Sequence, residues 1–288
     1  MQNWQDVQSV AAAVKALLRE SSYGEPMPRA GLILGTGLSP LAHSLSVAYN
    51  SLRIPFSEVP GFPAAGAPGH DGAFLFCDIE GLPALVQQGR SHLYEGRSPA
   101  EVCMGVRLMS ELGVKTLILT NAAGALNPAF EPGSIMLIND IINFTGLSPL
   151  TGPNDERRGE RFPDMSEAMD WTLRRLASAT ALKLGIKLES GVYIGVHGPE
   201  METPAETRMY RNFGADAIGM SSVLEIIAAR HCGLRVLGLS CLTNKNLPDC
   251  MSPAPLSLVL ETAEKCGADL ARLLKAVCGV LARKSFGH

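Results

Sequence analysis

A basic side chain and an imidazole stand two residues apart in the segment 89–96, which follows a short apolar run. Side chains two positions apart on an extended chain point to the same side, so Arg90 and His92 are expected to face one ligand. A guanidinium group binds a phosphate or a carboxylate through two parallel hydrogen bonds, and an imidazole can add a donor. The segment therefore predicts an anion site. The alternative is a structural ion pair of Arg90 with Glu95 or another acid.

Three other segments place small residues, hydroxyl groups or backbone N–H groups where an apolar run ends: 35–37, which includes Thr36, then 120–124 and 219–222. The first lacks the third glycine of a dinucleotide-binding fingerprint, because Pro40 stands there, and it lacks the Gly-Lys-Ser/Thr of a P-loop. Each is also common as an ordinary turn or helix cap. Open α/β sheets bind ligands at the carboxyl ends of their strands, so four such segments in one chain favour an anion site.

Two side chains elsewhere are candidates for binding the edge of a heterocycle. Glu202 stands immediately before a predicted helix that Thr203 caps, with Pro204 in the first turn and Glu206 at the capping-box position. Its carboxylate can accept two N–H donors from a ring, and the alternative is a solvent-exposed acid at a helix start. Asn244 ends another apolar run, and its amide both donates and accepts hydrogen bonds.

Short apolar runs alternate with helical patterns along the chain. The runs, predicted as buried strands, cover 30–34, 73–77, 84–88, 116–120, 134–138, 192–196, 217–220 and 236–242. The helical patterns cover 7–18, 99–112, 167–184, 204–213, 223–231 and 256–282. This order predicts an α/β fold with a mostly parallel or mixed sheet flanked by helices, and residues 1–288 are expected to form one domain. Long connections at 59–70 and 147–163 are expected to be functional or to be covered by another subunit.

The composition limits the partners and the compartment. The 288 residues carry 25 Lys and Arg against 28 Asp and Glu, a net charge of −3, and no basic run, which argues against binding to nucleic acid or to a membrane surface. The expected partner is a small molecule or a second copy of the chain. The seven cysteines lack a CxxC pair and zinc-ligand spacing, which indicates a reducing compartment. Without a signal peptide or a long apolar stretch, the protein is expected to be cytoplasmic.

Taken together, these segments resemble the trimeric-type purine nucleoside phosphorylases over residues 30–244. The motifs, in the order and spacing of that family, are LGTGL, PGFP followed by PGHDG, GRSHLYEG, NAAG, GPNDERRGERFPDMS, HGPEMETPAE, GMSSVLE and LTNK. The resemblance implies one α/β domain with a twisted, partly barrel-like mixed sheet, and a homotrimer with sites near the subunit interfaces. It also implies transfer of a pentosyl group from a purine nucleoside to inorganic phosphate, the co-substrate, with neither a metal nor another cofactor.

The resemblance also implies roles for single residues. Those of the phosphate site are Thr36, Arg90, His92, the Ala122 amide and Ser221, with His70 on a nearby loop. Those of the purine and ribose site are Glu202, Asn244, Met201, Met220 and Tyr94. Asn244, Glu202 and His92 are expected to be catalytic, because Asn244 can donate to purine N7 as negative charge grows there, while Glu202 accepts from N1–H. Adenine has no N1–H, so Glu202 with Asn244 suits 6-oxopurines, as in inosine and guanosine.

Three positions depart from the family pattern. Arg158 stands where an aromatic residue of the family reaches into the neighbouring subunit's ribose pocket, Leu256 where many members have a histidine near the ribose 5′-hydroxyl, and Met201 where phenylalanine is usual. An apolar Leu256 leaves open a preference for 5′-modified nucleosides such as methylthio-nucleosides. The lost aromatic at Arg158 leaves open a non-catalytic binder of purine nucleosides. Cleavage of 6-oxopurine ribo- or deoxyribonucleosides is the leading expectation, because every phosphate-site position keeps a competent residue.

Overall fold

The computed structural model describes residues 4–21, 23, 26–35, 37–38, 41, 51–66 and 72–285. Two residues predicted for the phosphate site, Thr36 and His70, lie outside this part of the chain. Part of the predicted connection 59–70 lies outside it as well.

Nine strands in the described part of the chain join in one sheet. They are β1 (Ala30–Leu34), β2 (Ser51–Pro55), β3 (Ala73–Ile79), β4 (Leu82–Gln88), β5 (Thr116–Ala125), β6 (Ile135–Asn143), β7 (Leu188–Gly195), β8 (Ala217–Gly219) and β9 (Arg235–Lys245). Their order is β2-β3-β4-β1-β5-β8-β7-β6-β9, and β9 also pairs with β5. This last pairing closes β5, β8, β7, β6 and β9 into a five-stranded barrel, from which β1, β4, β3 and β2 extend as an open sheet.

Four strands where the barrel meets the open sheet run in the same direction. β1 is parallel to both β4 and β5, and β5 is parallel to β9. Their carboxyl ends therefore lie along one edge of the sheet, which is where open α/β sheets hold ligands. The pairing of β5 with β9 shifts register between Ala123 and Gly124. Such an irregularity increases the local twist and redirects the side chains that follow it.

Seven α-helices in the described residues surround the sheet. They are α1 (Trp4–Glu20), α2 (Pro99–Val102), α3 (Met104–Glu111), α4 (Trp171–Leu184), α5 (Pro204–Asn212), α6 (Val223–His231) and α7 (Leu256–Ser285). On one side α3 packs against α1 and α6, and on the other α4 packs against α7. Within the described chain, none of these helices combines the length and the apolar character that a membrane crossing requires.

Helices on both faces of the sheet explain why the strands are continuous apolar runs. On β1, Ile33 belongs to the core that includes side chains of α1, α3 and α6, whereas Leu32 and Leu34 belong to the core that includes side chains of α4 and α7. Successive side chains of a strand point to opposite faces, so a strand that is covered twice needs apolar residues at every position. The predicted α/β fold with a mixed sheet and flanking helices is confirmed.

The bounds of several predicted elements differ from the structure, and three differences have a clear physical reason. The sequence does not predict β2, because Ile54 is the one fully buried residue among its five and Arg53 is exposed. The sequence predicts that the strand ends at residue 120, but β5 continues through residues 121–124 because they stay paired with β9 in the barrel. The helix predicted over 99–112 is divided at Cys103.

The buried side chains of the barrel strand β9 are expected to be important for stability. Leu237→Ala removes a fully buried side chain and should lower the free energy of unfolding by about 2–5 kcal/mol, the range for cavity-forming substitutions. The matched control is Leu182→Ala on α4, where the side chain is 82% exposed, and its effect should stay within about 0.5 kcal/mol. Urea unfolding of both variants gives the comparison. Equal losses of stability would contradict this core assignment.

Candidate active site

A cavity of about 340 Å³ opens beside the carboxyl ends of β1, β4, β5 and β9. Its lining comprises Gly35, Arg90, His92, Tyr94, residues 121–124, Met201, Glu202, residues 218–221, Thr243, Asn244, Ala254, Leu256 and Val259. The volume lies within the range of small-molecule sites. A larger cavity, of about 1080 Å³, lies between α1, α3 and the connection 146–155, and none of the predicted site residues lines it. The smaller cavity is therefore the candidate active site.

Arg90 lies at the wall of the cavity and forms the buried ion pair that the sequence leaves open as an alternative. It lines the cavity, yet its side chain is only 1% exposed and pairs with Glu225 at an Nη1–Oε2 distance of 2.9 Å. The same nitrogen donates to Ser222 Oγ at 3.1 Å, and Nη2 donates to the Thr120 carbonyl oxygen. Burial raises the pKa of Glu225, and the Arg90 guanidinium acts in the opposite direction. The acid that partners Arg90 is therefore Glu225 and not Glu95.

Glu95 instead fixes the orientation of His92. Its Oε1 atom accepts hydrogen bonds from the His92 backbone N–H and from Nδ1, both at 2.8 Å. Burial, followed by the charge of Arg90, lowers the pKa of His92 to about 3, so the imidazole is neutral at physiological pH. With its proton on Nδ1, the ring carries a lone pair on Nε2 and accepts there. The sequence predicts a donor from His92, whereas the contact with Glu95 makes an acceptor the better assignment.

The polar groups on the other strand ends form a chain of hydrogen bonds. Thr243 Oγ1 contacts Asn244 Oδ1 at 3.0 Å, Asn244 Nδ2 donates to Asn246 Oδ1 at 2.7 Å, and Asn246 Nδ2 donates to Glu202 Oε2 at 3.0 Å. Burial, followed by the nearby Glu206, raises the pKa of Glu202, and hydrogen bonds from its own backbone N–H and from Asn246 oppose this shift. The structure thus connects the two predicted heterocycle-binding residues, Glu202 and Asn244, through a third that the sequence analysis did not name.

A comparison with family models matches residues 29–278 to the phosphorylase superfamily. The protein belongs to the phosphorylase superfamily. The chain is 47% identical to purine nucleoside phosphorylase 1 of Geobacillus stearothermophilus, over 89% of this chain and 92% of that protein. It is 48% identical to the purine nucleoside phosphorylase of Bos taurus, over 79% and 80% of the two chains.

Solved structures agree with this superfamily assignment. The crystal structure of a Schistosoma purine nucleoside phosphorylase with hypoxanthine superposes with a TM-score of 0.87 at 35% identity, covering 96% of each chain. A structure of the Schistosoma mansoni purine nucleoside phosphorylase with adenosine matches equally well. This member of the phosphorylase superfamily is therefore similar to purine nucleoside phosphorylases in sequence and, over 96% of the chain, in architecture.

Most of the other predicted site residues of this superfamily member also line the cavity. They are Tyr94, Ala122, Met201, Met220, Ser221 and Leu256. The ring of Tyr94 stacks on His92 with 4.7 Å between centroids. Among the described residues, no group of three His, Cys, Asp or Glu side chains is placed to hold a metal ion.

Arg158 does not reach the cavity of its own chain. Its guanidinium pairs with Glu111 at the end of α3, and the residue is absent from the cavity lining. The sequence analysis placed it in the ribose pocket of a neighbouring subunit, so its predicted role stays a prediction.

Three buried polar residues near this site were missed by the sequence analysis: Asn121, Glu225 and Asn246. Asn121 donates to Ser222 Oγ at 2.9 Å and thereby supports the hydroxyl that also contacts Arg90. Of the three, Asn246 had a signal in the sequence, because it stands two positions after Asn244 and a strand end directs both side chains to one side.

The counter-charge of Arg90 is expected to be essential for folding. Glu225→Leu leaves a buried cation without its carboxylate, so the free energy of unfolding should fall by about 3–5 kcal/mol. The control is Glu261→Leu, which removes the exposed pair with Lys265 and should cause no measurable change. Denaturant unfolding of the two variants measures the difference. An unfolding midpoint unchanged by Glu225→Leu would show that Arg90 does not depend on this partner.

Proposed function

We propose that the protein is a purine nucleoside phosphorylase that cleaves 6-oxopurine ribo- and deoxyribonucleosides, such as inosine and guanosine, with inorganic phosphate. The products are the free purine and the pentose 1-phosphate. The observation that carries this proposal is a single cavity lined both by Arg90 and His92, which suit a phosphate, and by Glu202 and Asn244, which suit a purine. The named relatives at 44–48% identity support the same activity.

The phosphate is proposed to bind beside Arg90 and His92. Arg90 supplies a positive field and His92 Nε2 accepts a hydrogen bond from a protonated phosphate oxygen, an arrangement that selects an anion that still carries a proton. Ser221 and the Ala122 amide are proposed as further contacts from the strand ends. Thr36 and His70 keep the roles that the resemblance implies. Phosphate is the co-substrate, and no further cofactor is proposed.

The purine is proposed to bind between Glu202 and Asn244. An ionised Glu202 accepts from N1–H and, in guanine, from the 2-amino group, while an Asn244 N–H donates to N7. Met201, Met220 and Tyr94 are proposed to enclose the base and the sugar. A 6-aminopurine would leave the Glu202 carboxylate without a donor at N1, which explains the preference for 6-oxopurines.

These positions account for catalysis without a nucleophilic side chain. As the bond between C1′ and the purine nitrogen breaks, the electron pair moves to the purine and the sugar becomes oxocarbenium-like. Asn244 stabilises the charge that develops at N7, a contact that strengthens in the transition state and therefore lowers the barrier. The phosphate, already oriented in the cavity, forms the new bond at C1′.

The assembly and the compartment belong to the proposal as well. The whole chain, residues 1–288, is proposed to act as one domain in a cytoplasmic homotrimer. Arg158 is then proposed to lie beside the ribose pocket of a neighbouring subunit. The resemblance to trimeric-type family members supports this assembly.

A second candidate is a phosphorylase of 5′-modified nucleosides. The observation in its favour is that Leu256, Val259 and Ala254 together form an apolar part of the cavity wall. A methylthio group would bury apolar surface there, whereas a 5′-hydroxyl would lose water without gaining a partner from these three residues. Initial rates with methylthioinosine, methylthioadenosine and inosine decide between the candidates. A clear preference for inosine removes the second candidate.

Removal of either base-binding group should abolish most of the turnover. Glu202→Ala and Asn244→Ala are each expected to lower kcat/KM for inosine by about 10²–10³-fold, with little change in unfolding temperature. The matched control is Glu200→Ala, which removes an exposed carboxylate two residues from Glu202 and should leave the rate unchanged. Phosphate-dependent release of hypoxanthine measures all three variants. Near-normal activity of either base-site variant refutes the base-site assignment, and binding of nucleosides without release by the wild type indicates a non-catalytic binder.

A further inference from the structure

Asn246 joins the two residues that are proposed to hold the purine. Its Nδ2 donates to Glu202 Oε2 at 3.0 Å, and its Oδ1 accepts from Asn244 Nδ2 at 2.7 Å. The side chain is 3% exposed, and its backbone N–H donates to the Ala125 carbonyl at 2.8 Å, which anchors the residue to the end of β5. This position therefore allows Asn246 to influence both purine-binding groups at once.

The space for both amides depends on a glycine in β5. A Cβ atom at Gly124 would lie 2.8 Å from Asn246 Nδ2 and 3.1 Å from Asn244 Nδ2. Both distances are shorter than ordinary carbon–nitrogen contacts, so a side chain at this position would displace the two amides. The bridge of hydrogen bonds from Glu202 through Asn246 to Asn244 therefore requires a glycine at this position of the barrel.

The direction of the bridge is determined by the charge of Glu202. An ionised carboxylate only accepts hydrogen bonds, so it requires the NH₂ group of Asn246 on its side. The carbonyl oxygen of Asn246 then faces Asn244, which donates to it through Nδ2. Thr243 in turn donates to Asn244 Oδ1. One N–H of Asn244 is used in this way, and the second remains for a ligand in the cavity.

We propose that Asn246 is a positioning residue that couples the charge of Glu202 to the orientation of the Asn244 amide. The proposal rests on the proposed function, because it concerns recognition of the purine at its N1 and N7 edges. When Glu202 takes up a proton, its O–H can donate to Asn246 Oδ1. Both amides then turn over, and Asn244 faces Asn246 with Oδ1 instead of Nδ2. Protonation of Glu202 therefore removes the hydrogen bonds to the N1 edge and to the N7 edge of the purine together.

The ionised form of Glu202 is supported by a hydrogen bond from its own backbone N–H and by one side-chain donor, Asn246. On α5, Glu206 raises the pKa of Glu202, and Tyr210 lies close enough to sense the charges of Glu202, Glu206 and Glu200. On the neighbouring strand, Lys245 pairs with Glu131. Burial and Glu206 therefore favour protonation of Glu202, whereas its backbone N–H and the Asn246 hydrogen bond oppose it. Loss of that hydrogen bond moves the pKa of Glu202 further upward.

Calorimetric binding of hypoxanthine to the intact protein, over about pH 4 to pH 8, tests this coupling without any need for turnover. The wild type should lose affinity as the pH falls through the raised pKa of Glu202. Asn246→Leu should bind roughly tenfold more weakly at the top of this range, and its loss of affinity should begin about one pH unit higher. Asn246→Asp keeps the size of the side chain and should shift the loss in the same direction, since a second carboxylate raises the pKa of Glu202. It therefore serves if Asn246→Leu does not fold.

The control is Asn139→Leu, which removes an amide that bridges β6 to Ser190 on β7 at 2.7 Å, outside the cavity. This variant should keep the wild-type affinity and pH dependence. In addition, Asn246→Leu should lower kcat for inosine roughly tenfold, apart from any change in KM. The reason is that the Asn244 donor is no longer oriented toward the purine.

The proposal is overturned if both Asn246 variants bind hypoxanthine more weakly by the same factor at every pH, so that the pH at which affinity falls does not shift. Asn246 would then have only a structural role. Wild-type affinity in both variants overturns it too. A wild type that binds no hypoxanthine at any pH is a different outcome, because it refutes the proposed function and this inference with it.

Discussion

One buried guanidinium group joins four elements of this structure at the wall of the cavity. Arg90 follows β4 and contacts the carbonyl oxygens of Ile33 on β1 and Thr120 on β5, together with the side chains of Ser222 and Glu225 at α6. Burial of a charged group is costly unless other groups replace its hydration, and here strand ends and a helix start do so. The ends of these strands therefore lie together around the Arg90 guanidinium, which forms part of the cavity wall.

The charges around the cavity fit the proposed binding of an anion beside a purine. Arg90 supplies a cation that cannot lose its proton, and its presence together with burial keeps His92 neutral. Glu202 is held apart from these groups on the segment before α5, where Asn246 supports its ionised form. In the proposed function, phosphate binds in the positive field of Arg90, and the N–H edge of a 6-oxopurine meets the acceptor Glu202. Such a fixed arrangement favours charge separation in the transition state without reorganisation of solvent.

The sequence predicts those parts of the site whose signals are local. Arg90 with His92 is recognisable from spacing on one extended segment, and Glu202 is recognisable from its place before a capped helix. Glu225 is not, because it lies 135 residues from Arg90 along the chain and looks like an ordinary capping acid of α6. The closure of the barrel by β5 and β9 is likewise a non-local pairing, and the short, half-exposed β2 carries too little apolar pattern to be recognised. Spacing along the chain therefore predicts which neighbouring side chains lie on the same side of a segment. Which distant residues form hydrogen bonds or ion pairs with them is determined only by the fold.

In the proposed reaction, phosphate, and not water or a side chain, receives the pentosyl group in this cavity. ³¹P nuclear magnetic resonance of the protein with inosine and inorganic phosphate tests it directly, because a sugar phosphate and free phosphate give separate signals. A ribose 1-phosphate signal should grow in proportion to the hypoxanthine released, at the expense of inorganic phosphate. Release of hypoxanthine with free ribose and an unchanged phosphate signal would show that water is the acceptor, and the absence of any release would show that the protein does not cleave inosine.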